Sequence, residues 1–205
     1  MPPDAMMAIM RYPESHKQAV RQRILEAAAE ELRRHGLSGI GIPALMKRAG
    51  LTHGAFYAHF PSRDALVAEA IRTAAADSAA GPLADALPLQ QSLAHYLSTE
   101  HLAHPERGCV IAALGGEGSR QPAPVRSAFA AAARGLLAAI ERKLHPRRPA
   151  PEPSDAALRL ASAMVGAVVL ARLVEDPALA RRLLEAAASA ATPATPATPA
   201  TPAAG

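Results

Sequence analysis

The sequence predicts an all-α fold of about nine helices, and three observations predict it. Ala, Leu and Arg, which are good helix formers, dominate the 205 residues. Apolar residues recur at helical spacing in segment after segment, and no useful length alternates with a strand period. Half the residues are apolar, so a chain of this length can bury a real core.

Residues 1–14 are expected to form an extension without structure, with Met10 a natural alternative start. Ser15 and Gln18 have capping-box spacing and open the first helix. Val20, Ile24, Ala27, Ala28 and Leu32 make one apolar stripe, with Arg21, Arg23, Arg33 and Arg34 mostly off it. Gly36 ends this helix. Pro43 suits the first turn of a second, short helix that buries Leu45 and Met46. Gly50 can take the left-handed conformation that closes it. Thr52 then caps a third helix, His53 to His59. Phe56 and Phe60 lie four apart and share the face that anchors it. Pro61 ends the unit, and Ser62 caps a fourth helix that runs to about Ala79 and buries Leu66, Val67, Ala70 and Ile71.

A short helix, a glycine turn and a second short helix bearing small and polar residues is the helix-turn-helix pattern. Its second helix is the one that enters a DNA major groove. Residues 15–80 are therefore read as a DNA-binding domain. Residues 1–72 hold ten Lys/Arg against seven Asp/Glu, so most of the net charge of +4 sits there.

Gly81-Pro82 breaks the chain. Helices are expected at Leu89–Ala103, Cys109–Ser119 and Pro124–Leu144, with Gly115-Gly116-Glu117-Gly118 weakening or bending the second of these. Residues 145–153 carry four prolines and must form a loop. Ser154 or Asp155 caps a helix to about Val174, and Asp176-Pro177 starts the last, to about Ala190. The 155–174 helix has two apolar sides. Leu160, Met164, Ala167 and Ala171 suit its own core. Leu158, Ala161, Val165 and Val168, continued by Leu179 and Leu183, suit a partner. Residues 81–190 are read as a second helical domain and 191–205 as a disordered Thr-Pro-Ala tail.

Several chemistries are weighed and set aside. A single cysteine excludes an intramolecular disulfide framework. Leu160 to Ala171, the longest uncharged apolar run of interest, is too short to span a bilayer. No secretory signal is evident, so the expected compartment is the cytoplasm, with no membrane partner. His95, His101 and His104 with Glu100 and Glu106 supply no compact ligand set, so neither metal nor cofactor is expected. No catalytic motif is present. Cys109 is a small apolar residue at a helix start or, more sharply, a sensing thiol. A Cys109-dependent enzyme and a helical interaction protein are the readings from other classes.

Arg23-Ile24-Leu25-Glu26-Ala27-Ala28, Gly36, Ala49-Gly50-Leu51, Phe56-Tyr57, His59-Phe60 and Ser62-Arg63-Asp64-Ala65-Leu66 occur in the order of a known signature. Over about residues 17–72 the chain resembles the tetracycline-repressor (TetR) family of bacterial transcription regulators. The resemblance implies a homodimeric repressor on a palindromic operator, released by a small-molecule effector, with the last two helices of each subunit forming the dimer interface. It implies that Thr52, His53, Gly54 and Ala55 face base edges and phosphates, and that Tyr57 and His59 face the phosphate backbone. Arg63 stands where the family often has Lys and would meet phosphate; Lys47 is a further candidate. Ile40 and Gly41 replace the hydroxyl residue that the family usually carries before its second helix. For an effector pocket, Tyr96, Cys109, Glu117 and Arg120 are the candidates.

Overall fold

The computed structural model describes residues 14–39, 41–147 and 150–190, and among these it contains nine α-helices and no strand. The N-terminal extension, Ile40 and the Thr-Pro-Ala tail lie outside the described residues.

Helix α1 spans Glu14–His35. Ser15 is therefore inside the first turn instead of capping it. Gly36 closes α1 with φ 81° and donates its N–H to Leu32 O at 2.9 Å. Helix α2 is Ile42–Arg48 with Pro43 in its first turn. Gly50 follows with φ 74°, and Leu51 N–H reaches back to Met46 O at 2.8 Å.

The next element differs from expectation. His53–Ala58 is a 3-10 helix, and Thr52, although extended, makes no side-chain cap. Gly54 and the β-biasing effect of Pro61 leave room for little more than one turn, and short pieces favour i→i+3 bonding. Helix α3, Arg63–Ala80, is capped as expected by Ser62, whose Oγ accepts from Ala65 N–H at 3.1 Å.

The expected 89–103 helix is two helices, α4 (Leu89–Tyr96) and α5 (Thr99–Ala103). Ser98 divides them by accepting from His101 N–H at 3.1 Å, a local bond that competes with helix continuation. Helix α6 (Val110–Gly118) runs unbroken through Gly115 and Gly116. Helices α7 (Ala123–Leu144), α8 (Asp155–Leu173) and α9 (Pro177–Ala190) match their expected bounds within a residue. The buried Glu141 carboxylate accepts from Ser154 N–H at 3.0 Å and Ser154 Oγ at 2.6 Å, which ties the proline-rich loop to α7. These bonds hold its carboxyl below the usual carboxylate range.

Two cores result. The first joins Ile24, Leu32, Met46, Phe56, Phe60, Leu66 and Ile71 to Val110, Leu114, Val125 and Phe129. It thus runs past residue 80 and roots the N-terminal helices on α6 and α7. The second gathers Leu93, Tyr96, Ile140, Leu160, Met164, Val168 and Leu184.

Helix α8 corrects the expected partner face. Ala161 and Val168 are buried in the chain's own core, whereas Leu158 is exposed and Val165 half-buried. The two apolar sides adjoin, and packing against both α7 and α9 consumes most of the combined arc. Leu170 and Leu173 on α8, with Leu179 on α9, are exposed large apolar residues. Helices α7 and α8, at 22 and 19 residues, are long and apolar enough to cross a membrane by length and composition. Both contribute instead to the two cores.

Candidate nucleic-acid interface and neighbouring cavity

The 3-10 turn works as a small platform. Phe56 and Phe60 are 0% and 1% exposed and stack with ring centroids 5.8 Å apart. Tyr57, one residue further along the turn, is 67% exposed and meets Phe56 edge-on at 5.1 Å. Thr52, His53 and Gly54 are exposed beside it, and Ala55 and His59 are half-buried. A Cβ on Gly54 would meet nothing within 4 Å, so this corner is open to a close-lying partner. Arg21 lies 4.7 Å from the Phe60 ring centroid and pairs with Glu69 at 2.6 Å. Burial, then the nearby Lys17 and Arg21, lowers the His59 pKa.

The flanking cations differ among themselves. Lys47 is exposed. Arg48 is engaged by Glu30 at 2.6 Å and by Glu31. Arg63 donates to the Leu37 carbonyl, and Leu37 N–H donates to Glu117 Oε2 at 3.1 Å. The turn after α1 is thus gripped from α3 and from α6.

That grip removes Glu117 from the expected pocket. It lies eight positions on from Cys109, the N-cap of α6, and at ~1.5 Å per residue the two stand toward opposite ends. Arg120 is exposed beyond the helix. Tyr96 and Cys109, by contrast, come together in the wall of a cavity of about 470 Å³ between α4, α5 and residues 107–109.

His101 orders this wall. Its Nε2 accepts from Cys109 N–H at 3.0 Å, so its Nδ1–H must donate to Tyr96 O at 2.6 Å. Burial lowers its pKa, and the bond to Tyr96 only partly opposes this. Arg172 Nη2 donates to His101 O at 2.8 Å. The Tyr96 hydroxyl makes no hydrogen bond, although the Cys109 thiol lies close enough to act on it. Burial holds the phenol well above its usual pKa, so it remains a donor. Arg172 Nε is also buried without a partner.

Three arginines here were not anticipated. Arg33, expected off the apolar stripe, is 5% exposed. It donates to Gly108 O at 3.3 Å and Ala74 O at 3.4 Å and pairs with Asp77 at 3.5 Å. Burial lowers its pKa against the opposing pull of Asp77. Arg34 pairs with Glu106 at 3.4 Å. The last turn of α1 therefore holds the segment that also lines the cavity. Basic residues in a last turn read from sequence as partners of the helix dipole, which hides such a role. Arg172 gave no signal at all.

Residues 24–70 match the family model for bacterial regulatory proteins of the tetR family. No curated protein matches the sequence. Among solved structures, the chain is similar to E. coli NemR in its reduced form, with TM-score 0.67 and 23% identity over 83% of this chain and 94% of that one. A TetR transcriptional regulator from Chloroflexus aurantiacus gives 0.67 and 24%, over 85% and 95%. A TetR-family regulator from Cytophaga hutchinsonii gives 0.65 and 20%, over 86% and 94%. These likenesses establish the fold along nearly the whole described chain.

Proposed function

From the match of residues 24–70 to the tetR family of bacterial regulatory proteins, we propose that this chain is a cytoplasmic repressor of that family. In this reading it acts as a homodimer on a palindromic operator and lets go when a small molecule fills the cavity beside Tyr96 and Cys109. The carrying observation is the platform at 53–60, where two buried phenylalanines present Tyr57, Thr52 and His53 outward. Those side chains supply donors for phosphates and base edges, and small Gly54 and Ala55 permit close approach. Two copies would read half-sites about one helical turn, ~34–36 Å, apart or a little more. Leu170, Leu173, Leu179 and the half-buried Leu183 offer the apolar surface for the second copy.

The reported contacts support a route from ligand to reading head. The cavity wall at 107–109 is tied to α1 by Arg33, and α6 leads from that wall to Glu117 and the turn at Leu37. A ligand that prefers one arrangement of this segment would shift the spacing of the heads, with typical coupling of ~1–3 kcal/mol.

A salt-titrated binding assay on the DNA flanking the gene, against unrelated competitor DNA, tests the proposal. Specific binding by a dimer with a palindromic footprint is expected. Equal binding to both DNAs, lost together as salt rises, would reduce the interaction to phosphate attraction.

A second reading makes Cys109 itself the sensing group. It lines the cavity beside Tyr96, and one structural neighbour was solved in a named reduced form. Addition to an enone needs no co-reactant: sulfur bonds the β-carbon and the thiol proton ends on the α-carbon. Cys109→Ser should then keep operator binding and lose release by the enone. Undiminished release would reject a sensing thiol.

A further inference from the structure

A second cavity, of about 330 Å³, lies between α3, α6 and α7 and shares Ser78, Leu83 and Cys109 with the walls of the first. Both volumes fall in the range of small-molecule sites, ~300–1,000 Å³. The second is apolar inside, lined by Ala75, Val110, Ile111, Ala132 and Leu136, and it opens to solvent beside Gly135 on α7. The junction side of the first cavity is polar in one place. Among the described residues, the Tyr96 hydroxyl is unpartnered, with the residue 1% exposed, and Arg172 behind it donates to the His101 carbonyl and leaves Nε unpaired. His101 cannot serve a ligand, since both its nitrogens are spent.

A wall with a buried, unused hydroxyl, backed by the Arg172 guanidinium, suits an anionic acceptor, and an adjoining apolar slot suits a chain. We propose that one elongated carboxylate of the n-alkanoate class occupies both cavities, its head at Tyr96 and its chain passing Ser78, Leu83 and Cys109 toward Gly135. This rests on reading the first cavity as the effector site, and alkanoate binding is measured apart from DNA release, so the two readings are separately testable.

The full-length protein would be titrated calorimetrically with n-alkanoates from hexanoate to hexadecanoate, below their micelle concentrations, and with the matching methyl esters. Affinity should rise about fourfold per methylene while the slot fills, then level off at a definite length. Gly135→Leu should move that limit to shorter chains and spare the shortest binder. A side chain at Gly135 meets nothing within 4 Å, and the change favours the helix. Ala131→Leu, at an exposed position one turn earlier in the same wall, gives an independent plug. Tyr96→Phe should weaken every chain length about tenfold or more, the loss of a hydrogen bond to a charged group, and the esters should bind correspondingly worse.

Absence of alkanoate binding would overturn the proposal. So would a chain-length profile unmoved by both plugs, esters equal to acids, or loss on Arg72→Gln, at an exposed arginine in the wall of the second cavity, in place of loss on Tyr96→Phe, which would put the head at the open mouth. Alkanoate binding with all expected dependences, but without DNA release, would keep the site and remove its role as effector site.

Discussion

Tyr57→Ala is expected to abolish specific operator binding and leave the protein as stable as before. The side chain is 67% exposed and its packing is confined to edge contacts with Phe56 and His53. Exposed substitutions of this kind stay within about 0.5 kcal/mol of neutral. A hydrogen bond from its hydroxyl to a phosphate would be worth about 1.5–3 kcal/mol, or roughly ten- to a hundredfold in affinity. Two copies per dimer double the loss in free energy. The salt dependence separates this from a charge effect. Tyrosine neutralises no phosphate, so the slope of log affinity against log salt should be unchanged. Lys47→Gln should lower it by about one if that lysine contacts a phosphate. Wild-type affinity in Tyr57→Ala, measured on the footprinted operator, would take the reading role away from this turn.

Much of this arrangement was legible in the sequence because it depends on local chemistry. Gly36 and Gly50 mark chain reversals by their freedom at positive φ, and both take it. Ser62 and Ser154 cap because a hydroxyl meets an unsatisfied N–H two or three residues on. Phe56 and Phe60 share a face by spacing alone. What depends on chain segments far apart was not legible. Glu117 has the polarity of a pocket residue, but the path of α6 delivers it to Leu37. Arg33 looks like a solvated charge until α3 and residue 108 close over it. Ala161 and Val168 fit a partner's surface as well as an internal one, and only the simultaneous packing of α7 and α9 on α8 decides between them. The cavity is the least local feature of all: it is the space left where α4, α5 and residues 107–109 fail to fill the volume beside Tyr96.

Phe60→Ala should have the opposite signature to Tyr57→Ala, with the fold lost first and DNA binding only as a consequence. Phe60 is 1% exposed, stacks on Phe56 and has the Arg21 guanidinium 4.7 Å from its ring centroid. Truncating a buried phenylalanine costs about 3–5 kcal/mol. Against a total stability of ~5–15 kcal/mol that is a large share. In a chain of this size it corresponds to a fall in Tm of very roughly 6–20 °C. Because the core around Phe60 continues into Val110, Leu114 and Phe129, the loss should reach α6 and α7 and weaken cavity binding too. Phe60→Leu, which keeps most of the apolar volume, should recover most of the stability and with it the DNA affinity. Were Phe60→Ala to melt like the wild type, the platform under Tyr57 would not be held by this core. The precise placement of Tyr57 would then need another cause.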